Sequence, residues 1–369
     1  MTVVKQALAI LALSTGVVYP AMALSDDTEL TPYIIAGKSV NSDVLPWQVR
    51  LVVTQTLQGS GTEASFLCGG TIINDHWVMT AAHCLETISD QEHWRYKDAT
   101  SATAQLIVNG QQENHTSNTV VVHEQWTGSF ANGYDVALLR FDQPFNSDTS
   151  LKLATASEYE QVQSEFLQYW QEESDRDSSL IASGYGLTNV ENNTTPELDD
   201  LQYTWLSGIP EADSLCSSYT DLDVTCVTSS VVDAPQSACR GDSGGPLIWQ
   251  SPSNASDDDF GARLVGLTSF GDGMCQNRIP TGFTTTSAYL DWVNNALTTE
   301  EGRDIDIVTE PSSVLTTNPF DLAGRTSSSS DGSSPGNNPA EKPGTQSGGS
   351  VGVYGLMVLL FMVGRRRLV

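Results

Sequence analysis

The 369-residue chain carries 17 Lys and Arg against 45 Asp and Glu, a formal net charge of −28. Without basic patches to release counterions, nucleic acid and anionic lipid surfaces are excluded as partners. A hydrophobic content of 39% still suffices for a globular core, so the acidic excess, the run Asp257-Asp258-Asp259 included, reads as a solvated surface.

In chain order, Met1–Ala23 has one early lysine, Lys5, then the apolar run Ala7–Leu13 and an Ala21-Met22-Ala23 cleavage pattern. That is the layout of a secretory signal peptide, with an apolar run too short for a spanning helix. Residues 24–33 form an acidic piece without Lys or Arg and with nothing hydrophobic enough to pack. Ile34-Ile35-Ala36-Gly37 and Pro46-Trp47-Gln48-Val49 then open a long region, 34–299, of short β-branched and aromatic runs cut by Gly, Asn, Asp and Pro. Gln48–Val53, Trp77–Met79, Val136–Phe141 and Leu264–Phe270 are examples, and short strands with frequent turns imply an all-β sandwich or barrel. Ser287–Leu297, with Leu290, Val293 and Leu297 at helical spacing, predicts one helix at the end of this region. Residues 300–350 lose all sustained period and become rich in Ser, Gly and Pro, which predicts a disordered linker. Thirteen apolar or small residues, Val351–Val363, and the cluster Arg365-Arg366-Arg367 close the chain. The run is short for a crossing, but the arginines fit the positive-inside rule.

Three stretches carry chemistry. Ser237–Pro246 reads Ser-Ala-Cys-Arg-Gly-Asp-Ser-Gly-Gly-Pro, placing Ser243 among glycines that can turn backbone N–H groups toward a reacting atom. A serine hydroxyl is a weak nucleophile and needs a base and oxyanion donors. Thr80-Ala81-Ala82-His83-Cys84 offers the base, and Tyr134-Asp135-Val136-Ala137-Leu138-Leu139 an acid to orient it. A lipase or esterase elbow would instead need G-x-S-x-G with the acid and then the histidine following the serine. His76, His93, His115 and His123 have no such context and are expected to be structural or exposed. Six cysteines in a chain with an export signal suggest disulfides with 15 possible connectivities, and no CxxC pair or His cluster supports a metal.

Together these stretches resemble the chymotrypsin/trypsin family of serine endopeptidases. The resemblance implies two antiparallel six-stranded β-barrels with a C-terminal helix, the site in the cleft between them and the barrel boundary near residues 145–155. Glu86–Ala104 and Ser157–Ser179 exceed what the family core needs and are expected as surface insertions. His83 would act as general base, Asp135 would orient it and Ser243 would attack, with the N–H groups of Gly241 and Ser243 as oxyanion hole. Cleavage before Ile34 would free an ammonium that pairs with Asp242. The substrate pocket would be built by Ser237, Ser269, Phe270, Gly271 and Thr281. Ser237, where an acid would select Lys or Arg, implies an uncharged, small or medium apolar P1. The implied disulfides are Cys68–Cys84, Cys216–Cys226 and Cys239–Cys275.

No cofactor or metal is implied. The partners would be protein or peptide substrates and an activating protease. The stalk, Gly348-Gly349, apolar run and arginines resemble bacterial GlyGly-CTERM sorting tails, which implies export to the cell surface and a membrane protease that trims the tail. A permanent membrane anchor is the alternative there. For the whole chain, the rival to an enzyme is a non-catalytic binding scaffold of the same fold.

Overall fold

A computed structural model describes residues 34–327, apart from 35–36, 58–62, 86–87, 90–93, 118, 173, 188–195, 233–235, 273–274, 276–278 and 311. The signal peptide, the 24–33 piece, residues 328–350 and the C-terminal segment 351–369 lie outside the described residues, as does His93.

After β1 (Lys38–Val40), the first sheet contains β2 (Gln48–Leu57), β3 (Glu63–Ile72), β4 (Trp77–Thr80), the one-turn helix α1 (Ala82–Leu85) and β5 (Ile88–Ser89). It continues with β6 (Trp94–Val108), β7 (Gln111–Ser117), β8 (Thr119–Val122) and β9 (Ala137–Arg140). Helix α2 (Ala156–Tyr169) leads to the second sheet: β10 (Leu180–Gly184), β11 (Leu201–Gly208), β12 (Val224–Ser229), β13 (Pro246–Gln250), β14 (Ala262–Phe270) and β15 (Thr281–Thr285). Helix α3 (Leu290–Glu301) follows.

Every strand pairing is antiparallel. The second sheet runs β11-β10-β13-β14-β15-β12 and closes through β11–β12, a six-stranded barrel with β1 added to β11. The first curls through β5-β6-β2-β3-β4-β9-β8 with β7 on β6, and it forms a half-barrel rather than a second closed six-stranded one. The expected two-barrel fold with a C-terminal helix is therefore present.

Alternation explains β2, where Val49, Leu51 and Val53 are buried between partly exposed Arg50, Val52 and Thr54. Helix α2 starts with a capping box: the Glu158 N–H donates to Thr155 Oγ1 at 3.1 Å, and Thr155 N–H to Glu158 Oε2 at 2.9 Å. Its Val162 and Phe166, four residues apart, form the buried face. Gly208 lets Phe166 in, since a Cβ there would lie 2.1 Å from the ring.

Two expectations are corrected. Glu86–Ala104 is not simply a surface insertion: β6 spans most of it, pairs with β2 along its length and buries Ala102 and Ala104. Residues 303–327, expected as part of a linker that starts at residue 300, are packed against the fold instead. Helix α3 runs to Glu301 and ends at Gly302, whose φ of 65° is the left-handed stop. The chain then forms an irregular strap over residues 303–327 that buries Ile305, Ile307, Leu315 and Phe320. Backbone groups hold it: Ser313 N–H donates to Ser150 O at 2.8 Å and Leu315 N–H to Asp258 O at 3.0 Å. Farther on, Trp205 Nε1–H donates to Leu322 O at 3.1 Å and Tyr203 Oη–H to Ala323 O at 2.9 Å, while Arg325 lies over the Trp205 ring at 5.2 Å. Burial and cross-chain hydrogen bonds supply the order that period does not. Among the described residues no helix is long and apolar enough to cross a membrane.

Candidate active site

The site is assembled where the two sheets meet. His83 sits in α1, directly after β4, between the buried residues Ala82 and Cys84. Asp135 comes from the segment before β9 and is 2% exposed. One Asp135 oxygen accepts the His83 backbone N–H at 2.9 Å, and the other lies 2.8 Å from His83 Nδ1 and accepts Ser269 Oγ–H at 2.5 Å. Thr284 Oγ1 donates to the Asp135 carbonyl at 2.9 Å, so both β14 and β15 of the second barrel hold an acid carried by the first. Burial alone would raise the Asp135 carboxyl, but the charge of His83, its side-chain and backbone hydrogen bonds and the Ser269 hydroxyl bring its pKa below the ordinary value. A carboxylate placed this way can orient the His83 ring through its Nδ1.

Ser243 reaches the same place by a close approach that only glycine allows. At Gly244, with φ of 77°, a Cβ would lie 2.1 Å from Thr80 Oγ1 and 2.8 Å from the Ala81 nitrogen, inside the segment that leads to His83. Gly69 N–H donates to Ser243 O at 2.7 Å, and Gly244 N–H to Thr268 O at 2.7 Å. Gly241 has φ of 97°, a conformation that side chains disfavour. The cysteines pair as Cys68–Cys84, Cys216–Cys226 and Cys239–Cys275, the first joining the His83 helix to β3 and the last flanking the Ser243 loop.

A cavity of about 120 Å³ adjoins Ser243 and is lined also by Ala238, Ser269, Phe270, Gly271 and Thr281. Ser237 is buried but does not line it; its hydroxyl lies 3.0 Å from Thr281 Oγ1 and donates to Ala238 O at 2.9 Å. Thr281 thus covers Ser237 and forms the cavity wall. Gly282 admits the Phe270 ring, which a Cβ would approach within 2.3 Å. Two charged residues, Arg240 and Asp272, also line the cavity; they are of opposite sign and at least partly exposed.

Asp242 points away from this cavity into the second barrel, 1% exposed. Its oxygens accept Gly186 N–H and Cys239 N–H, both at 2.8 Å. Glycines 184 and 186 make the space, since a Cβ on either would fall within 2.5 Å of the carboxyl group. Burial raises its pKa from the ordinary 3.8 to about 6, against the pull of the two N–H donors. Among the described residues it has no ion-pair partner. Ile34 is itself buried, 1% exposed.

Two contributors carry no signal in the sequence. Phe130, 40% exposed, lies edge-on to His83 with ring centroids 5.3 Å apart and also faces Phe270 at 5.9 Å. Thr284 is one threonine in a run of three and nothing local marks it. Of the remaining described histidines, His76 Nδ1 lies 2.7 Å from Phe141 O, while His115 and His123 are buried. Among the described residues no group of three or more His, Cys, Asp or Glu is placed to hold a metal ion.

The family described as Trypsin matches residues 34–293. Chymotrypsin-like elastase family member 1 of Rattus norvegicus is 30% identical over 279 residues, covering 74% of this chain and 92% of the relative. The Homo sapiens protein of that name is 29% identical over 279 residues, covering 74% and 95%. The Bos taurus protein is 28% identical over 288 residues, covering 77% and 96%.

Proposed function

This chain belongs to the trypsin/chymotrypsin family of serine proteases, and from that premise we propose that it is a secreted endopeptidase working through Ser243, His83 and Asp135. Ser243 Oγ attacks the scissile carbonyl carbon while His83 takes its proton. The oxyanion is held by the N–H groups of Gly241 and Ser243, at about 3 kcal/mol per donor. His83 then protonates the leaving amine, and the acyl-enzyme forms. Water deprotonated by His83 attacks the ester, and the proton returns to Ser243 as the acid product leaves. Asp135 keeps the proton on His83 Nδ1 and stabilises the imidazolium. The observation that carries the reading is the double hold of Asp135 on His83, at 2.9 and 2.8 Å, beside a serine loop docked through Gly244.

The P1 residue is uncharged and small or medium apolar. In support, the cavity beside Ser243 is small, Thr281 closes it over Ser237, and the charged residues lining it among the described ones, Arg240 and Asp272, are of opposite sign. The relatives carry the name elastase, which fits the same class of protein substrate. The enzyme is made as a zymogen. Cleavage between Tyr33 and Ile34 supplies an ammonium for Asp242, whose buried carboxyl has no cation among the described residues. The activator accepts an aromatic P1 or cuts nearby, because residues 24–33 offer no Lys or Arg. A membrane protease removes the C-terminal segment during export to the cell surface.

The test is Ser243→Ala in protein processed at Ile34, together with a serine-directed covalent probe on the unsubstituted enzyme. Amide hydrolysis should drop to the residual level left by binding and the oxyanion hole, and the probe should label Ser243 alone. Retention of more than about a hundredth of the activity would overturn the assignment. A processed protein without hydrolysis or labelling would be a binding scaffold.

A further inference from the structure

The chain turns sharply just before Asp135. Gly133 has φ of 71° and Tyr134 has φ of 61°, so two consecutive residues have positive φ and the second is not glycine. A non-glycine residue there costs on the order of 1–2 kcal/mol and needs its surroundings to hold it. Those surroundings are aromatic. The Tyr134 ring stacks on His123, with centroids 4.9 Å apart and planes at 27°. The Tyr134 N–H donates to Tyr289 Oη at 3.3 Å. His123 also meets the Tyr289 ring at 5.4 Å and the Trp292 ring at 4.9 Å, so the start of the C-terminal helix packs on it as well.

His123 grips the turn at both ends. Its ring lies on Tyr134, the residue before Asp135, and its backbone N–H donates to the carbonyl of Val136, the residue after, at 3.2 Å. Its Nδ1 accepts the Gln125 N–H at 3.2 Å, which leaves the ring proton of the neutral form on Nε2. We propose that His123 is a positioning residue: its imidazole holds Tyr134 in the left-handed turn that aims the Asp135 carboxylate at His83. The inference rests on the assignment of Asp135 as the orienting acid.

The electrostatics agree. Burial among the rings lowers the His123 pKa, and the Glu124 carboxylate, 4.0 Å away and well exposed, offsets this only in part. From the second barrel, Asp223 accepts the Tyr289 hydroxyl at 3.5 Å. Burial and that carboxylate raise the Tyr289 pKa, so the phenol facing His123 stays neutral. A neutral imidazole can therefore stack where a charged one would have to be desolvated.

The experiment uses processed enzyme with His123→Ala, His123→Phe and Tyr134→Gly, and with Asp135→Asn as a control. A misplacement of about 1 Å in a catalytic group can cost on the order of 100-fold, so His123→Ala should lower kcat roughly 10- to 100-fold with KM held within about twofold. His123→Phe, which restores a flat ring on Tyr134, should recover most of kcat. Tyr134→Gly adopts the same φ freely but lacks the ring, so it should lose activity as His123→Ala does while still folding. The downfield proton NMR signal of the His83 Nδ1–H bonded to Asp135 should shift or broaden in the two impaired variants and return in His123→Phe. If Asp135→Asn abolishes activity while His123→Ala or Tyr134→Gly leaves kcat and this signal unchanged, the positioning role is wrong. If Asp135→Asn itself leaves activity intact, the fault lies in the catalytic assignment instead.

Discussion

The buried carboxyl of Asp242 makes the stability of the unprocessed chain fall as pH rises. With Ile34 still joined to Tyr33 there is no ammonium at that position, and burial holds the Asp242 pKa at about 6 instead of 3.8. The folded chain therefore binds this proton more tightly than the unfolded one, so the contribution is present below about pH 4 and is lost through pH 6. At about 1.4 kcal/mol per pKa unit, the full loss is about 3 kcal/mol above pH 7. The assay is urea unfolding of the unprocessed Ser243→Ala chain against the same chain carrying Asp242→Asn, from pH 4 to pH 8. Taking the difference cancels every other carboxylate, and Asp242→Asn should gain about 3 kcal/mol relative to its parent over that range. In protein beginning at Ile34 the sign should invert: the ammonium supplies the missing charge, and Asp242→Asn should destabilise the enzyme at neutral pH. A difference that stays flat with pH in the unprocessed chain, or that runs the other way, would refute the reasoning.

Thr281→Gly should open the cavity down to Ser237 and move P1 preference toward larger apolar residues. By the worth of a methylene or two in a pocket, kcat/KM for Phe over Ala at P1 should rise roughly 10-fold or more, read by peptide-library profiling. Strong preference for Arg at P1 in the unsubstituted enzyme would contradict the pocket reading. Phe320→Ala should destabilise the fold by about 3 kcal/mol in urea unfolding, because the ring is 5% exposed on the strap. Truncation after Glu301 removes four buried apolar side chains worth roughly 6–12 kcal/mol together, comparable to a whole domain's stability, so that protein should not fold while one ending at residue 327 should.

The three stretches proposed to carry the chemistry stood out in the sequence because their requirements are local. Ser243 needs glycines on both sides, His83 needs a short turn after a strand, and Asp135 needs a buried strand behind it. Each demand is written within a few residues of the group it serves. The all-β class and the terminal helix followed from short strands, turns and helical spacing for the same reason, whereas the two-barrel architecture was implied by the family resemblance. What tertiary structure alone decided depends on residues far apart in the chain. Thr284 reaches Asp135 across 149 positions. Thr281 covers Ser237 across 44, which no count from the serine motif predicts through the irregular stretch between them. His123, without any motif, braces the turn before Asp135 only because Tyr289 and Trp292 of another element close over it. The strap over 303–327 lacks any repeating period, since its order comes from hydrogen bonds to Ser150, Tyr203 and Trp205. Periodicity records how a segment satisfies its own backbone; it is silent where the partners are supplied by the rest of the fold.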